Sequence, residues 1–182
     1  EPKELIDNYL IKAMEEIGDR FEKQQAFVPE LLMAGRAMKA SLSLLQPLLK
    51  GDEATSQLGT IVIGTVKGDL HDIGKNLVGS MFEGCGFQVV DLGVDADSDK
   101  FVTAVKEHGA NLVGLSALLT TTMPYMKTII EALKAAGLRD KVKVMVGGAP
   151  VSSSFAEEIG ADGYSDSANS AVIKAKELLG VA

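Results

Sequence analysis

"TIVIGTVKGDLHDIGKN", Thr60 to Asn76, runs from a β-branched apolar stretch into a glycine-flanked turn that sets a histidine between two aspartates. A continuous apolar run, as opposed to an alternating one, marks a strand buried on both faces of a sheet. Three similar runs follow: "FQVVDLGV" (Phe87 to Val94), "NLVGLSALL" (Asn111 to Leu119) and "VKVMVGGAP" (Val142 to Pro150). Each leads through a glycine or small-residue turn into a helical segment. "ADGYSDSAN" (Ala161 to Asn169) adds a weak fifth strand, and Ala168 to Leu179 a last helix. Strands alternating with helices predict an α/β fold with a five-stranded parallel sheet of flavodoxin or Rossmann type. Ligands of such sheets bind at the carboxyl ends of the strands. The loops at that end are Gly68 to Gly74, Ser116 to Thr122, Gly147 to Pro150 and Tyr164 to Asn169.

The residues before this pattern read differently. Ile6, Leu10, Ala13 and Ile17 keep a helical period, and Leu31, Gly35, Met38, Leu42, Leu45 and Leu49 continue it in a second segment. Between them, "GDRFEKQQAFVPE" (Gly18 to Glu30) reads as a polar connection carrying Phe21, Phe27 and Val28. Pro29 suits a first helical turn, and Glu30 favours the positive helix end. Met33 and Met38 read as core residues. Polar "KGDEATSQLG" (Lys50 to Gly59) is the best boundary, giving a helical unit over 1–53 and a sheet unit over 58–182.

Composition narrows the function. The chain has 182 residues, 46% hydrophobic and 24% charged, with a net charge of −7. No basic cluster is dense enough for phosphate binding, so nucleic acid is not an expected partner. Cys85 is the sole cysteine, which excludes a disulfide framework within one chain and suits a reducing, cytoplasmic setting. Apolar runs break after about 8 residues, against the roughly 20 that span a bilayer, so no membrane partner is expected either.

The turn itself resembles a nucleotide cradle only superficially. Five residues rather than four separate Gly68 from Gly74, Asn76 stands where a serine or threonine is needed, and two aspartates would repel phosphate. A metal site built by protein alone lacks ligands, because His108, at the end of a predicted helix, reads as a cap. His71 then has two readings. It is a loop histidine bonded to Asp69 or Asp72, or an imidazole whose far nitrogen faces a metal supplied by a cofactor and whose near nitrogen is held by a carboxylate.

Taken together, "DLHDIG" (Asp69 to Gly74), "SAL" (Ser116 to Leu118) and the Gly147–Gly148 pair resemble the D-x-H-x-x-G, S-x-L, G-G signature of cobalamin-binding domains. Their order and their placement after strands one, three and four make the set specific. The preceding helices resemble the cap domain of methionine synthase and of the corrinoid proteins of methyltransferase systems, so the likeness covers nearly the whole chain. About two long helices stand where such caps have four, so that either the cap is truncated at its N-terminus or a neighbouring chain completes its apolar surface.

The resemblance implies a cobalamin or related corrinoid cofactor, bound with its own base detached. His71 is then the axial ligand of cobalt, Asp69 its partner, and Thr122 the hydroxyl that continues the relay. Asp72, Ile73 and Gly74 belong to the loop that meets the cofactor, with Gly74 opening the tunnel for its nucleotide tail. Ser116 and Thr120 match positions that bond the tail, and Leu118 packs near it. Gly147 and Gly148 let the tail's base lie against backbone, and Ala149 and Ala168 match further contacts. Phe21 and Val28, ordinary core or staple residues on pattern alone, match cap residues over the upper face, and Asp7 an acidic contact of the cofactor.

The function so implied is a corrinoid methyl carrier, not catalytic alone. Its partners would be a substrate-specific methyltransferase, an acceptor methyltransferase for folate or a thiol, and a reductive activator. A cobalamin-binding fragment of methionine synthase and a cobalamin-dependent sensor or regulator are the alternatives.

Overall fold

A computed structural model describes residues 1–49 and 58–181. The chain opens with a helix of three parts, α1 (Pro2–Leu5), a π-helical stretch (Ile6–Leu10) and α2 (Ile11–Glu22), and returns through α3 (Val28–Leu45). The sheet unit then alternates β1 (Thr60–Thr65), α4 (Ile73–Gly84), β2 (Gln88–Asp91), α5 (Ser98–His108), β3 (Leu112–Ser116), α6 (Pro124–Ala135), β4 (Lys143–Gly147), α7 (Ser153–Ile159), β5 (Gly163–Tyr164) and α8 (Ala168–Leu179). All strand pairs are parallel, in the order β2-β1-β3-β4-β5. This is the flavodoxin-like arrangement that the alternating pattern predicts.

Every residue of β1 is buried, as a central parallel strand requires. Alternate side chains feed two cores. Val62, Val113, Val144 and Val146 pack with Phe101, Met126, Ile129 and Leu133 of α5 and α6. Ile61, Ile63, Leu112 and Met145 pack on the other face with Phe82 of α4, Val172 of α8, and Met14, Leu31 and Met38 of the helical unit. Gly64 is required where Phe101 crosses β1, because a Cβ there would lie 2.8 Å from the ring. Three sheet-unit helix starts are fixed by side chains: Asp97 caps α5, Ser152 caps α7, and Ser167 and Ser170 form a reciprocal capping box at α8.

Two details depart from the sequence reading. Helix α2 runs to Glu22, so Phe21 is helical and the connection shortens to Lys23–Phe27. Arg20 pairs with Glu16 one turn back at 2.7 Å, and the helix closes where Gln24 turns left-handed (φ 57°) and Gln25 N–H donates to the Arg20 carbonyl. Met38 is in the core but Met33 is 70% exposed. It stands two residues from buried Leu31, which puts it across the helix from the face formed by Leu31, Gly35 and Met38. The predicted boundary, 50–59, falls mostly outside the described residues.

Candidate functional site

The site grows from the end of β1. After Thr65 the chain makes an isolated parallel bridge, Val66 to Ala96, then turns at Gly68 in a left-handed conformation (φ 82°). That turn drives the Asp69 side chain inward, where it has no solvent exposure. A buried carboxylate needs donors, and five are within reach. Oδ1 accepts from His71 N–H at 3.1 Å and lies 2.7 Å from His71 Nδ1. Oδ2 accepts from the Leu118 N–H at 2.8 Å, the Leu119 N–H at 3.2 Å and the Thr122 hydroxyl at 2.8 Å. The Thr122 Oγ1 is also 2.9 Å from the Leu119 carbonyl, and the charged carboxylate is the stronger of these two acceptors.

Burial alone would raise the Asp69 carboxyl; the hydrogen bonds from His71, Leu118 and Thr122 outweigh it and hold the group well below the usual carboxylate range. An ionised carboxylate only accepts, so the proton between the two side chains belongs to Nδ1. Nε2 then has no protein partner among the described residues, and the His71 side chain is 52% exposed.

His71 lines a cavity of about 780 Å³ that descends from the strand ends between α4 and α8 onto the sheet. Asp72, Ile73, Gly74, Ser116, Leu118, Gly147, Gly148, Ala149 and Ala168 share its wall, so residues far apart in sequence converge there. Its floor is apolar, with Ile61, Ile63, Phe82 and Met145, and Phe21 reaches it from α2. Gly74 leaves space, since nothing lies within 4 Å of a Cβ built there, whereas a Cβ at Gly114 would lie 3.2 Å from the Ile63 side chain. Gly148 has φ 128°, and a Cβ there would meet the Ala117 carbonyl oxygen, so only glycine lets the tips of β3 and β4 approach this closely.

Other predicted residues stand apart. Thr122 is buried behind Asp69, not in the cavity wall. Thr120 is exposed on the β3–α6 loop, Asp7 is exposed on the π-helical stretch, and Val28 is 41% exposed at the start of α3; none of the three lines the cavity. The cavity also uses Leu70, Leu77, Val78, Tyr164 and Ala171, which the motifs did not single out. Lys75 is a further addition. Its ammonium is buried and bonded to Asp91 Oδ1 at 2.7 Å, to Asp91 Oδ2 and to Asn76 Oδ1. A lysine in a strand-to-helix turn invites a phosphate reading, and only the fold shows that its partner is the last residue of β2. Among the described residues, no group of three or more His, Cys, Asp and Glu forms a metal site, and no helix is long and apolar enough to cross a membrane.

Comparison with known proteins agrees with this geometry. A family model described as a B12 binding domain matches residues 59–173, and a second with the same description matches residues 1–46. The dimethylamine corrinoid protein of Methanosarcina barkeri is 49% identical over 179 residues, covering 98% of this chain and 84% of that protein. A cobalamin-binding protein from Desulfitobacterium hafniense superposes with a TM-score of 0.82 at 39% identity, over 97% of this chain and 82% of that one. A chain of the methanol:cobalamin methyltransferase complex MtaBC from Methanosarcina barkeri gives a TM-score of 0.83 at 28% identity, over 100% of this chain and 69% of that one.

Proposed function

Since this chain belongs to the family of corrinoid proteins built on a B12 binding domain, we propose that it carries a methyl group on a corrinoid between two methyltransferases. The observation that carries this reading is the pairing of His71 Nδ1 with the fully buried Asp69, which leaves Nε2 as the ring nitrogen free for a metal. The donor set fits a cofactor that brings its own equatorial ligands, because the chain offers one imidazole and an apolar cavity instead of a cluster of ligands. When bound, the corrinoid supplies the cobalt that accepts and donates the methyl group.

The residues of the chain do the rest. His71 would hold the cobalt through Nε2, and the Asp69 carboxylate fixes its tautomer and orientation. Thr122, Leu118 and Leu119 hold that carboxylate from behind. The apolar cavity between α4 and α8 takes the nucleotide tail, with Gly74, Ser116, Gly147, Gly148, Ala149 and Ala168 along it. Phe21, from the helical unit over residues 1–49, would help to enclose the group, and that unit would act as a cap that moves aside for partners; Val28 and Asp7 belong to the same unit.

The partners in this reading are a methyltransferase specific for a methylamine-type donor, an acceptor methyltransferase for folate or a thiol, and a reductive activator. The names of the relatives, dimethylamine and methanol systems, support a small methylated donor over a fragment of methionine synthase or a regulator. The test is to mix the protein with hydroxocobalamin, desalt it, and record the visible spectrum and the cobalt(II) paramagnetic resonance with ¹⁵N-labelled histidine. Retained cobalamin with splitting from one histidine nitrogen is the expected result. Loss of all colour on desalting would overturn the carrier.

A further inference from the structure

Thr65 ends β1 with its side chain wholly buried. The strand itself does not need a hydroxyl there. Thr65 shares its stretch with Ile61, Val62, Ile63 and Val66, and its backbone is satisfied by the Gly93 carbonyl and the Ala96 N–H. Burying a hydroxyl in such surroundings is unfavourable unless it is bonded, and valine would pack with the same shape. The hydroxyl of Thr65 donates to the carbonyl of His71 at 2.8 Å, six residues on and beyond the turn.

That bond completes a grip on one residue. Asp69 Oδ1 takes both the backbone N–H and the ring N–H of His71, and Thr65 takes its carbonyl, so the peptides on both sides of the histidine are tied. The other end of the loop is held separately. Asp95, itself in a left-handed conformation (φ 52°), accepts from the Gly68 N–H at 2.7 Å and donates its own N–H to the Asp69 carbonyl at 3.0 Å. Loss of the Thr65 hydroxyl would therefore free the carbonyl side of His71 while leaving the turn and the two Asp69 contacts in place. Threonine is β-branched and stiff about χ1, which makes it a fixed post.

We propose that Thr65 is a positioning residue, whose hydroxyl, acting through the His71 carbonyl, sets the direction in which the imidazole presents Nε2. The inference rests on the corrinoid reading of His71. It extends the histidine's support from the Asp69–Thr122 side to the strand beneath it.

The test compares Thr65→Val, Thr65→Ser and the wild type by ring ¹⁵N resonances of the full chain without corrinoid, then by hydroxocobalamin retention and cobalt(II) resonance. The second histidine, exposed His108, serves as internal reference. The wild type and Thr65→Ser should show His71 protonated at Nδ1 alone. Thr65→Val should show shifted and broadened ring resonances at His71 and no change at His108. It should also hold hydroxocobalamin about 10-fold more weakly, in line with other substitutions behind a metal ligand, and lose the histidine splitting. A folded Thr65→Val protein with wild-type ring resonances and splitting would overturn the proposal. If the valine variant does not fold, Thr65→Ala gives the same decision by the same spectra. A wild-type protein that retains no hydroxocobalamin overturns the corrinoid reading, and the ring resonances then decide Thr65 by themselves.

Discussion

Asp69 converts one histidine into an oriented ligand because it has two oxygens and five donors to satisfy. Oδ1 serves His71, and Oδ2 serves the β3–α6 loop. Replacing it with asparagine leaves one acceptor oxygen and turns the other position into a donor facing donors. Asp69→Asn should weaken corrinoid binding by about 10 to 100 fold, measured by titration with hydroxocobalamin. Binding at wild-type strength would remove the orienting role. Thr122→Val deletes one of the five donors and should cost less than Asp69→Asn, while Thr122→Ser should match the wild type. At this scale the sequence was readable where chemistry is local: an aspartate two residues before a histidine can reach its ring. Thr122 came from family likeness, since 53 residues separate it from Asp69. Lys75 and Thr65 were not readable. A lysine's partner on a neighbouring strand, and a hydroxyl bond across a turn, are set by tertiary packing and leave no periodic mark.

The helical unit is seated on the sheet unit through small residues. At Gly18 of α2 a Cβ would run into the Asn169 Oδ1 of α8, and at Gly84 of α4 one would lie 2.7 Å from Met14. The rim is polar: Lys176 pairs with Glu15 at 2.9 Å, Lys39 with Glu83 at 3.0 Å, and the Ser167 hydroxyl donates to Glu22 at 3.1 Å. Asn169 Nδ2 is buried in this seat without a partner among the described residues, a group whose desolvation costs about 1–3 kcal/mol. Gly18→Ala should force α2 away from α8 and destabilise the docked arrangement by about 1–3 kcal/mol, read as faster hydrogen exchange along α2. Asn169→Ala makes room for the added methyl, so the double variant should recover part of that loss. A coupling of about 0.5 kcal/mol or more in the double-mutant cycle is expected, and strict additivity would mean that the two residues do not meet. The helices were legible from their period, but not their seat. Gly18 looked like the start of a connection, because a glycine that allows close helix approach and one that ends a helix are the same letter.

Across the whole molecule, two buried groups on opposite sides of neutrality bound the range of stability. Asp69 ionises in the folded chain well below its usual value, so in acid the unfolded chain binds a proton that the folded chain does not. Stability then falls as pH drops below about 4. Cys85, buried under the helical unit, behaves oppositely. Burial raises its thiol from 9.0, Lys176 pulls it down, Glu15 adds to the rise, and the result is about 11. Between these values the unfolded chain loses a proton that the folded chain keeps, so stability declines as pH rises from 9.0 to about 11. Two pH units correspond to roughly 3 kcal/mol at most. Urea unfolding from pH 3 to 11 should therefore give a plateau between about 4 and 9, with a loss at each end. Asp69→Asn should flatten the acid limb alone, and Cys85→Ala the alkaline limb alone. If Cys85→Ala keeps the full alkaline limb, other groups set it, and the thiol is not sealed beneath α2 and α3 in solution. The two limbs report on different seats, the acid one on the loop that holds His71 and the alkaline one on the contact between the helical unit and the sheet. Adding hydroxocobalamin in excess should raise the whole curve by mass action if the corrinoid binds only the folded chain.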